Sequence, residues 1–527
     1  MRADALVAEI GSTVTKVHAF SGLGAGPGPG LRGVAGAGPG PGLRGVADAG
    51  PAWLGSGVAP TTVLGGDVTA GLRQSVLGLE MSLGLSAGGL AWDRMMAASS
   101  AAGGLRMSVH GLVYDMTVRA AREAALGAGA ILDLVTAGEM GPGEVEALRK
   151  TRPGIILLAG GVEGGDRAVI LHNARTIAAA GVKAPVVYAG NSGARGEAVA
   201  ILEAAGLGVK VVPNVYPRLD HLDIEPARRA IQDAFEEHIV VAPGMERVRE
   251  MVGGTIWPTP GAVMESAVVL AERLGDLVVI DVGGATTDVH SVTDGSTEMS
   301  RIQIHPEPRA KRTVEGDLGV YVNAANVVDL AGEEEVAAYM RDLSGAAFDA
   351  AAVRRLLEEL QPLPTEAMED DALTFVQALT CIAAETALLR HAGRLRHLFG
   401  PSGRVAVAEG KDLTEVEWLI GTGGPLTRYP RSLDILSRLA GLAPGAAEAR
   451  SRRADGRLRV SALGSGGPAG QYLLPGRGAR PRLDTRYAMA VLGVLHHEYP
   501  EAAETLLVQG FGGAWPRPKD SPLPDLS

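Results

Sequence analysis

At 527 residues, 46% of them apolar, the chain has material for three or four domain-sized cores and reads as globular. A net charge of −11, from 49 basic and 60 acidic residues, with only 4% aromatics, leaves no basic patch interleaved with aromatics and argues against nucleic-acid binding. The single Cys381 excludes an intrachain disulfide framework and a cysteine-rich zinc site; no apolar run of membrane-spanning length appears, and Glu9 interrupts the stretch a signal peptide would need, so no membrane association and a cytoplasmic location are expected.

Near the N-terminus, Val7-Ala-Glu9-Ile-Gly11-Ser12-Thr13-Val-Thr15-Lys16-Val reads as an apolar strand that delivers an acid, a glycine and hydroxyl turn, and a second strand over Thr15 to Phe20. Glycine lets the backbone come within hydrogen-bonding distance of an anion, and the N–H groups and hydroxyls of such a turn can face a phosphate. Residues 24–35, GAGPGPGLRGVA, recur letter for letter over 36–47. A duplicated Gly/Pro segment cannot bury enough surface to order itself, so residues 21–50 are expected to be a disordered insert at a strand turn. Gly84-Leu-Ser86-Ala-Gly88 fits a nucleophile-elbow string, but no apolar strand precedes it, and chance explains it in a Gly-rich chain.

From Ser108 short apolar runs alternate with helix-length segments. Strands are expected at Val109–Tyr114, Ile131–Val135, Gly154–Ala159, Pro185–Ala189 and Val209–Val212, with helices at Val118–Leu126, Gly143–Lys150, Ala168–Ala180 and Gly196–Ala205. This rhythm argues for a parallel sheet covered on both faces, a complete α/β domain inserted over 108–245. Its loop Gly160-Gly161-Val162-Glu163-Gly164-Gly165-Asp166 follows a strand, where open α/β sheets bind ligands, and reads equally as a tight turn.

An apolar-striped helix over Gly261–Leu274 leads into Val278-Val-Ile-Asp281-Val-Gly283-Gly284-Ala-Thr286-Thr287-Asp288-Val, which repeats the logic of the first hairpin with what reads as a tighter turn. Together the two hairpins read as a clamp for phosphates. Thr313-Val-Glu315-Gly-Asp317-Leu-Gly319 places two acids on a following loop, where a helix cap is the plain reading. Gly421, Gly423 and Gly424 form a third glycine turn, with Gly464-Ser-Gly466-Gly467 as a weaker parallel. Cys381 lies in an apparent helix as a small buried hydrophobe. Ala488, Ala490 and Gly493 in an expected helix over Asp484–His496 allow close helix–helix approach; His496-His497-Glu498 lacks metal-site spacing, and the proline-rich tail 515–527 is expected to be disordered.

The order of these turns resembles that of the superfamily of actin, Hsp70 chaperones and sugar kinases. Within it the chain looks most like the glutamate mutase accessory ATPases of the MutL or GlmL type. Ala59-Pro-Thr-Thr-Val63, Ser99-Ser-Ala-Ala-Gly-Gly-Leu105, the Thr313–Gly319 loop and Leu379-Thr-Cys-Ile-Ala-Ala-Glu-Thr-Ala387 carry this closer match. The resemblance implies an α/β chain with an actin/Hsp70-like, ribonuclease H-like two-lobed ATPase core. The first lobe would take residues 1–107, the inserted flavodoxin-like domain 108–245 and the rest of the core 246–514. The inserted domain resembles the cobalamin domains of the mutases, except that Asp115-Met-Thr117 stands where those carry Asp-x-His, and a threonine cannot replace imidazole on cobalt. It is either a mimic of that subunit's shape or a docking module.

The resemblance implies ATP/ADP with Mg²⁺. Asp281 would hold the metal, through water, and Glu9 would share the task, although most of the superfamily has Asp at that position. Gly11, Ser12, Thr13 and Thr15 would bracket the phosphates from one side and Gly283, Gly284, Thr286 and Thr287 from the other, with Lys16 either neutralising charge or serving as an ordinary strand lysine. Asp288 would orient the turn, Glu315 or Asp317 would position water, and Gly421, Gly423 and Gly424 would face adenosine. The implied function is ATP-driven reactivation of an adenosylcobalamin-dependent mutase through its cobalamin-binding subunit. A small-molecule kinase and a non-hydrolysing nucleotide-binding scaffold are the alternatives.

Overall fold

The computed structural model describes residues 1–11, 14–24, 50–62, 68–100, 105–128, 130–219, 221–239, 245–253, 255–361, 368–400, 403–440 and 471–510. Ser12, Thr13, Val63, most of the Gly/Pro insert, Gly464 to Gly467 and the tail lie outside them.

The apolar run ADALVAEI, buried along nearly its whole length, forms β1 (Arg2–Ile10), and β2 (Val14–Ser21) turns back against it. β3 (Ala52–Pro60) adds antiparallel to β2, and β4 (Ala91–Ser99) returns parallel to β1. The chain then leaves for a second sheet built from β5 (Leu105–Gly111), β6 (Ala130–Ala137), β7 (Ile155–Leu158), β8 (Val186–Tyr188) and β9 (Val209–Val211). This sheet is parallel throughout and runs β6-β5-β7-β8-β9, the flavodoxin order, with Arg119–Gly127, Pro142–Thr151, Ala168–Ala179 and Arg195–Ala204 as its crossover helices. β5 starts earlier than its sequence suggests and stops at Gly111, since Val113 and Tyr114 stand exposed beyond it. β10 (Ile256–Pro258) rejoins the first sheet beside β4, completing the order β10-β4-β1-β2-β3.

β11 (Leu277–Val282), β12 (Thr287–Val292) and β13 (Ala310–Glu315) form a second antiparallel meander. After the hairpin of β14 (Arg394–Gly400) and β15 (Gly403–Glu409), β16 (Trp418–Thr422) pairs parallel with β11. β17 (Gln471–Tyr472) joins β14, and β18 (Arg480–Leu483) runs parallel to β16. The resulting order, β13-β12-β11-β16-β18, repeats that of the first sheet strand for strand. Three antiparallel strands followed by two parallel ones, occurring twice, is the actin/Hsp70-like arrangement.

The chain divides into two compact units: Met1–Val263 with Ala490–Leu506, and Met264–Met489 with Leu507 to the end of the described residues. In the first, the inserted sheet shares one continuous apolar core with β1 and β4, where Met107, Val109, Ile155 and Leu157 bury together with Leu6, Ala8, Ile10 and Ala97. In the second, Val278, Ile280 and Val282 of β11 pack with the helix Asp370–His391. That helix carries acids in its first turn and Arg390 in its last, complementing the helix dipole. It has the length and composition of a membrane span, but 83% of its most apolar window, including Cys381, is buried inside the protein.

The division falls within two helices, Thr259–Leu274 and Met489–His496. Gly493 lies so close to the backbone of Ala262 that any β-carbon would collide, which bears out the close approach expected of it. The second helix starts later than expected because the Asp484 carboxylate takes the N–H groups of Ala488 (2.7 Å) and Met489 (2.9 Å) as its cap.

Candidate functional site

The β11–β12 hairpin is closed by the Gly283 N–H on the Thr286 carbonyl (2.8 Å), and a β-carbon at Gly283 would sit 3.0 Å from that oxygen. The turn's carbonyls are then claimed by the chain that follows β13. Val320 N–H donates to Gly283 O (3.3 Å), Tyr321 and Val322 N–H to Gly284 O (3.0 and 2.8 Å), and Asn323 Nδ2 to Ala285 O (2.7 Å). With its carbonyls held on one side, the turn has no hydrogen-bond acceptor among the described residues for the N–H groups of Gly284, Ala285 or Thr286. Three partly exposed donors in one turn form a nest suited to an anion.

Asp281, the penultimate residue of β11, is half-buried, opposite Asp288 on one side and Thr422 on the other. Gly423 follows with φ of +88°, and a β-carbon there would meet the Val282 carbonyl and stand 2.6 Å from Asp281 Oδ1. Only glycine both adopts this conformation and leaves the carboxylate room. Asp288 is buried and paired with Arg312 (3.1 Å), itself 1% exposed. Burial pushes the Asp288 carboxyl up against the pull of Arg312. Beside them His290 is fully buried with both ring nitrogens unpartnered among the described residues, and burial, helped by Arg312, holds it well below the ordinary imidazole range.

The β1–β2 hairpin has the same construction. Gly11 N–H closes on Val14 O (2.9 Å), and a β-carbon at Gly11 would stand 2.8 Å from it. Glu9 faces Lys16 across the ladder as Asp281 faces Asp288, so the two turns have equal length and the second is not the tighter. Thr61, in the segment after β3, donates to Gly11 O (2.8 Å) as the loop after β13 does to Gly283 O. Glu9 and Lys16 are both buried, and His18 takes the place of His290, equally buried and held low, first by burial and then by Lys16. Its Nδ1 accepts from Trp53 Nε1 (3.1 Å).

Several expected site residues take other places. Thr287 is fully buried and donates to Leu318 O (2.6 Å); Thr15, its equivalent, is buried against Thr61 Oγ1 (2.9 Å), so both hydroxyls are spent on loop seating. Gly421 lies inside, where a β-carbon would strike Leu436 and Leu483, so its missing side chain serves packing. Gly423 and Gly424 do border the Asp281 end of the sheet, Gly424 with open space where a β-carbon would be. Glu315 and Asp317 are neither a cap nor an unengaged base, since both pair with Arg390 (2.7 and 2.8 Å). Burial raises the Glu315 pKa despite Arg390, whereas for Asp317 burial is outweighed by the hydrogen bonds and charge of Arg390, which leave it low. His497 stacks on Trp257 and Glu498 pairs with Arg94 (2.8 Å), so that motif anchors the first unit.

Sequence reasoning passed over His18, His290, Arg312 and Arg390. The Val-His pair that recurs at the same place in both outgoing strands was the available signal for the histidines.

A family model described as MutL protein matches residues 5–511. The chain belongs to the MutL family. It is 39% identical over 351 residues to Protein MutL of Clostridium tetanomorphum, covering 65% of this chain and 75% of that protein. Among solved structures, nucleotide-free acetone carboxylase is similar with a TM-score of 0.33 and 12% identity, covering 93% of this chain and 70% of that one. Component A of (R)-2-hydroxyglutaryl-CoA dehydratase from Acidaminococcus fermentans gives 0.26 and 8%, covering 95% and 98%. At such scores the fold rests on the sheet orders themselves.

In this MutL-family chain, the loops at the C-terminal edge of the inserted sheet bind one another. Glu163 accepts from Ser192 N–H (3.2 Å) and Asn214 Nδ2 (3.0 Å), and Asn191 Nδ2 donates to the carbonyls of Gly165 and Asp166 (3.1 Å each). Thr117 is buried and its hydroxyl accepts the N–H groups of Leu112 (2.9 Å) and Val113 (3.1 Å), closing the turn after β5.

Proposed function

We propose that the chain binds and hydrolyses ATP with Mg²⁺ as an accessory protein that reactivates an adenosylcobalamin-dependent mutase such as glutamate mutase. The observation that carries the nucleotide part is the second turn: three backbone donors left open by a loop that holds the turn's carbonyls, next to a half-buried carboxylate. Gly284, Ala285 and Thr286 would receive phosphate oxygens, and Gly423 and Gly424 would leave bare backbone for the nucleoside. Among the described residues no cluster of three or more ligating side chains exists. Mg²⁺ keeps most of its water and takes one or two carboxylates together with phosphate oxygens. Asp281 is the fitting carboxylate. Glu9 faces a lysine and is the weaker candidate.

The mutase part rests on membership of the MutL family and on the resemblance of the inserted domain to cobalamin domains. Because Thr117 is committed to its own turn, that domain would serve in docking, without a cobalt ligand at this position. ADP release should be measured alone, with small-molecule acceptors and with a cobalamin-dependent mutase. Release that ignores acceptors and rises with the inactivated mutase is expected; a phosphorylated acceptor would replace this reading with a kinase.

A further inference from the structure

The loop that seats the second turn is fastened by one side chain from outside. Arg390, in the last turn of Asp370–His391, donates from Nη1 to Glu315 (2.7 Å) and Asp317 (2.8 Å) and from Nη2 to the other oxygen of Asp317 (3.0 Å). Glu315 ends β13 directly opposite Thr287, the residue that starts β12. Asp317 opens the stretch from which Leu318 O, Val320 N–H, Tyr321 N–H, Val322 N–H and Asn323 Nδ2 reach β12 and the turn. Next to Arg390, His391 points inward, its Nδ1 on Thr313 Oγ1 (2.9 Å) and its Nε2 on Ser291 Oγ (2.8 Å), so the helix end is fixed to both strands of the β12–β13 pair.

We propose that Arg390 is a positioning residue for the nucleotide's phosphates, acting through the Glu315–Asn323 loop on the turn at 283–286. The inference rests on the nucleotide reading above and names a residue which that reading does not require. Two carboxylates on a loop beside a triphosphate repel it and each other; a guanidinium fork cancels the repulsion and fixes both in one geometry, which a point-charge ammonium cannot do. With the loop fixed, the three turn N–H groups are aimed before the ligand arrives, which is where preorganised donors gain their strength.

The test is calorimetry of ADP with Mg²⁺ on the full-length protein and three variants, Arg390→Met, Arg390→Lys and Asp317→Asn/Arg390→Met, each with a thermal unfolding curve. Arg390→Met should weaken binding about tenfold, the equivalent of one hydrogen bond to a charged group. Arg390→Lys should fall between Arg390→Met and wild type, and the double variant should bind no worse than Arg390→Met, because removing Asp317 removes the repulsion. In ATP turnover the loss should appear in KM with kcat held, since the turn grips ground state and transition state alike. Unchanged binding in Arg390→Met, a loss in kcat alone, or a double variant that binds more weakly than Arg390→Met would overturn the proposal. If wild type binds no ADP, the nucleotide reading falls first, and with it this one.

Discussion

The two hairpins share a backbone and differ in charge. Each has an acid near the end of its first strand, a glycine closing the turn, a threonine turned inward and a histidine buried neutral three residues further on. In the first, the residue opposite the acid is Lys16; in the second it is Asp288, whose charge is met from the next strand by Arg312. Residues directly opposite on an antiparallel pair lie on one face, so Lys16 stands beside Glu9, while the Asp288 beside Asp281 is paired with Arg312. One topology, used twice, carries two different charge arrangements at its turns.

That difference can be tested at its strongest point by Arg312→Met, which leaves Asp288 buried without its partner. A loss of about 3–5 kcal/mol in denaturant unfolding is expected, whereas a loss under about 1 kcal/mol would mean that the pair does not set the charge of the second hairpin. Gly423→Ala comes next. It forces a positive-φ alanine against Val282 O and the Asp281 carboxylate, so about 1–3 kcal/mol of stability should go, along with nucleotide binding. Retained affinity would detach the glycine loop from the site. The smallest effect concerns the shared feature. His18 and His290 are held far below their unfolded value, so the unfolded chain takes up protons that the folded chain refuses, and stability should decline as pH falls below about 6.5. His290→Asn should flatten that decline; an unaltered pH profile would mean that the histidine is not kept neutral.

The backbone of this comparison was legible in the sequence because short, valine- and isoleucine-rich apolar runs ending in an acid and a glycine favour buried strands with exposed turns, and the strand–helix rhythm of the insert is set by local periodicity. The inward or outward sense of each side chain was less so. Thr287 and Gly421 looked like ligand residues because hydroxyls and glycines near a turn invite that reading, yet one faces the Leu318 carbonyl and the other faces Leu436. Arg312 and Arg390 could not be found from spacing, since their carboxylate partners are brought to them by strand pairing and by a helix end far along the chain.

The most direct measurement is the affinity of ADP and ATP, with and without Mg²⁺, for the wild-type chain and for Asp281→Ala, each checked for an unchanged unfolding transition. Magnesium-dependent binding in the wild type that disappears in Asp281→Ala is the predicted result. Equal affinity in the two proteins, or none in either, would contradict it.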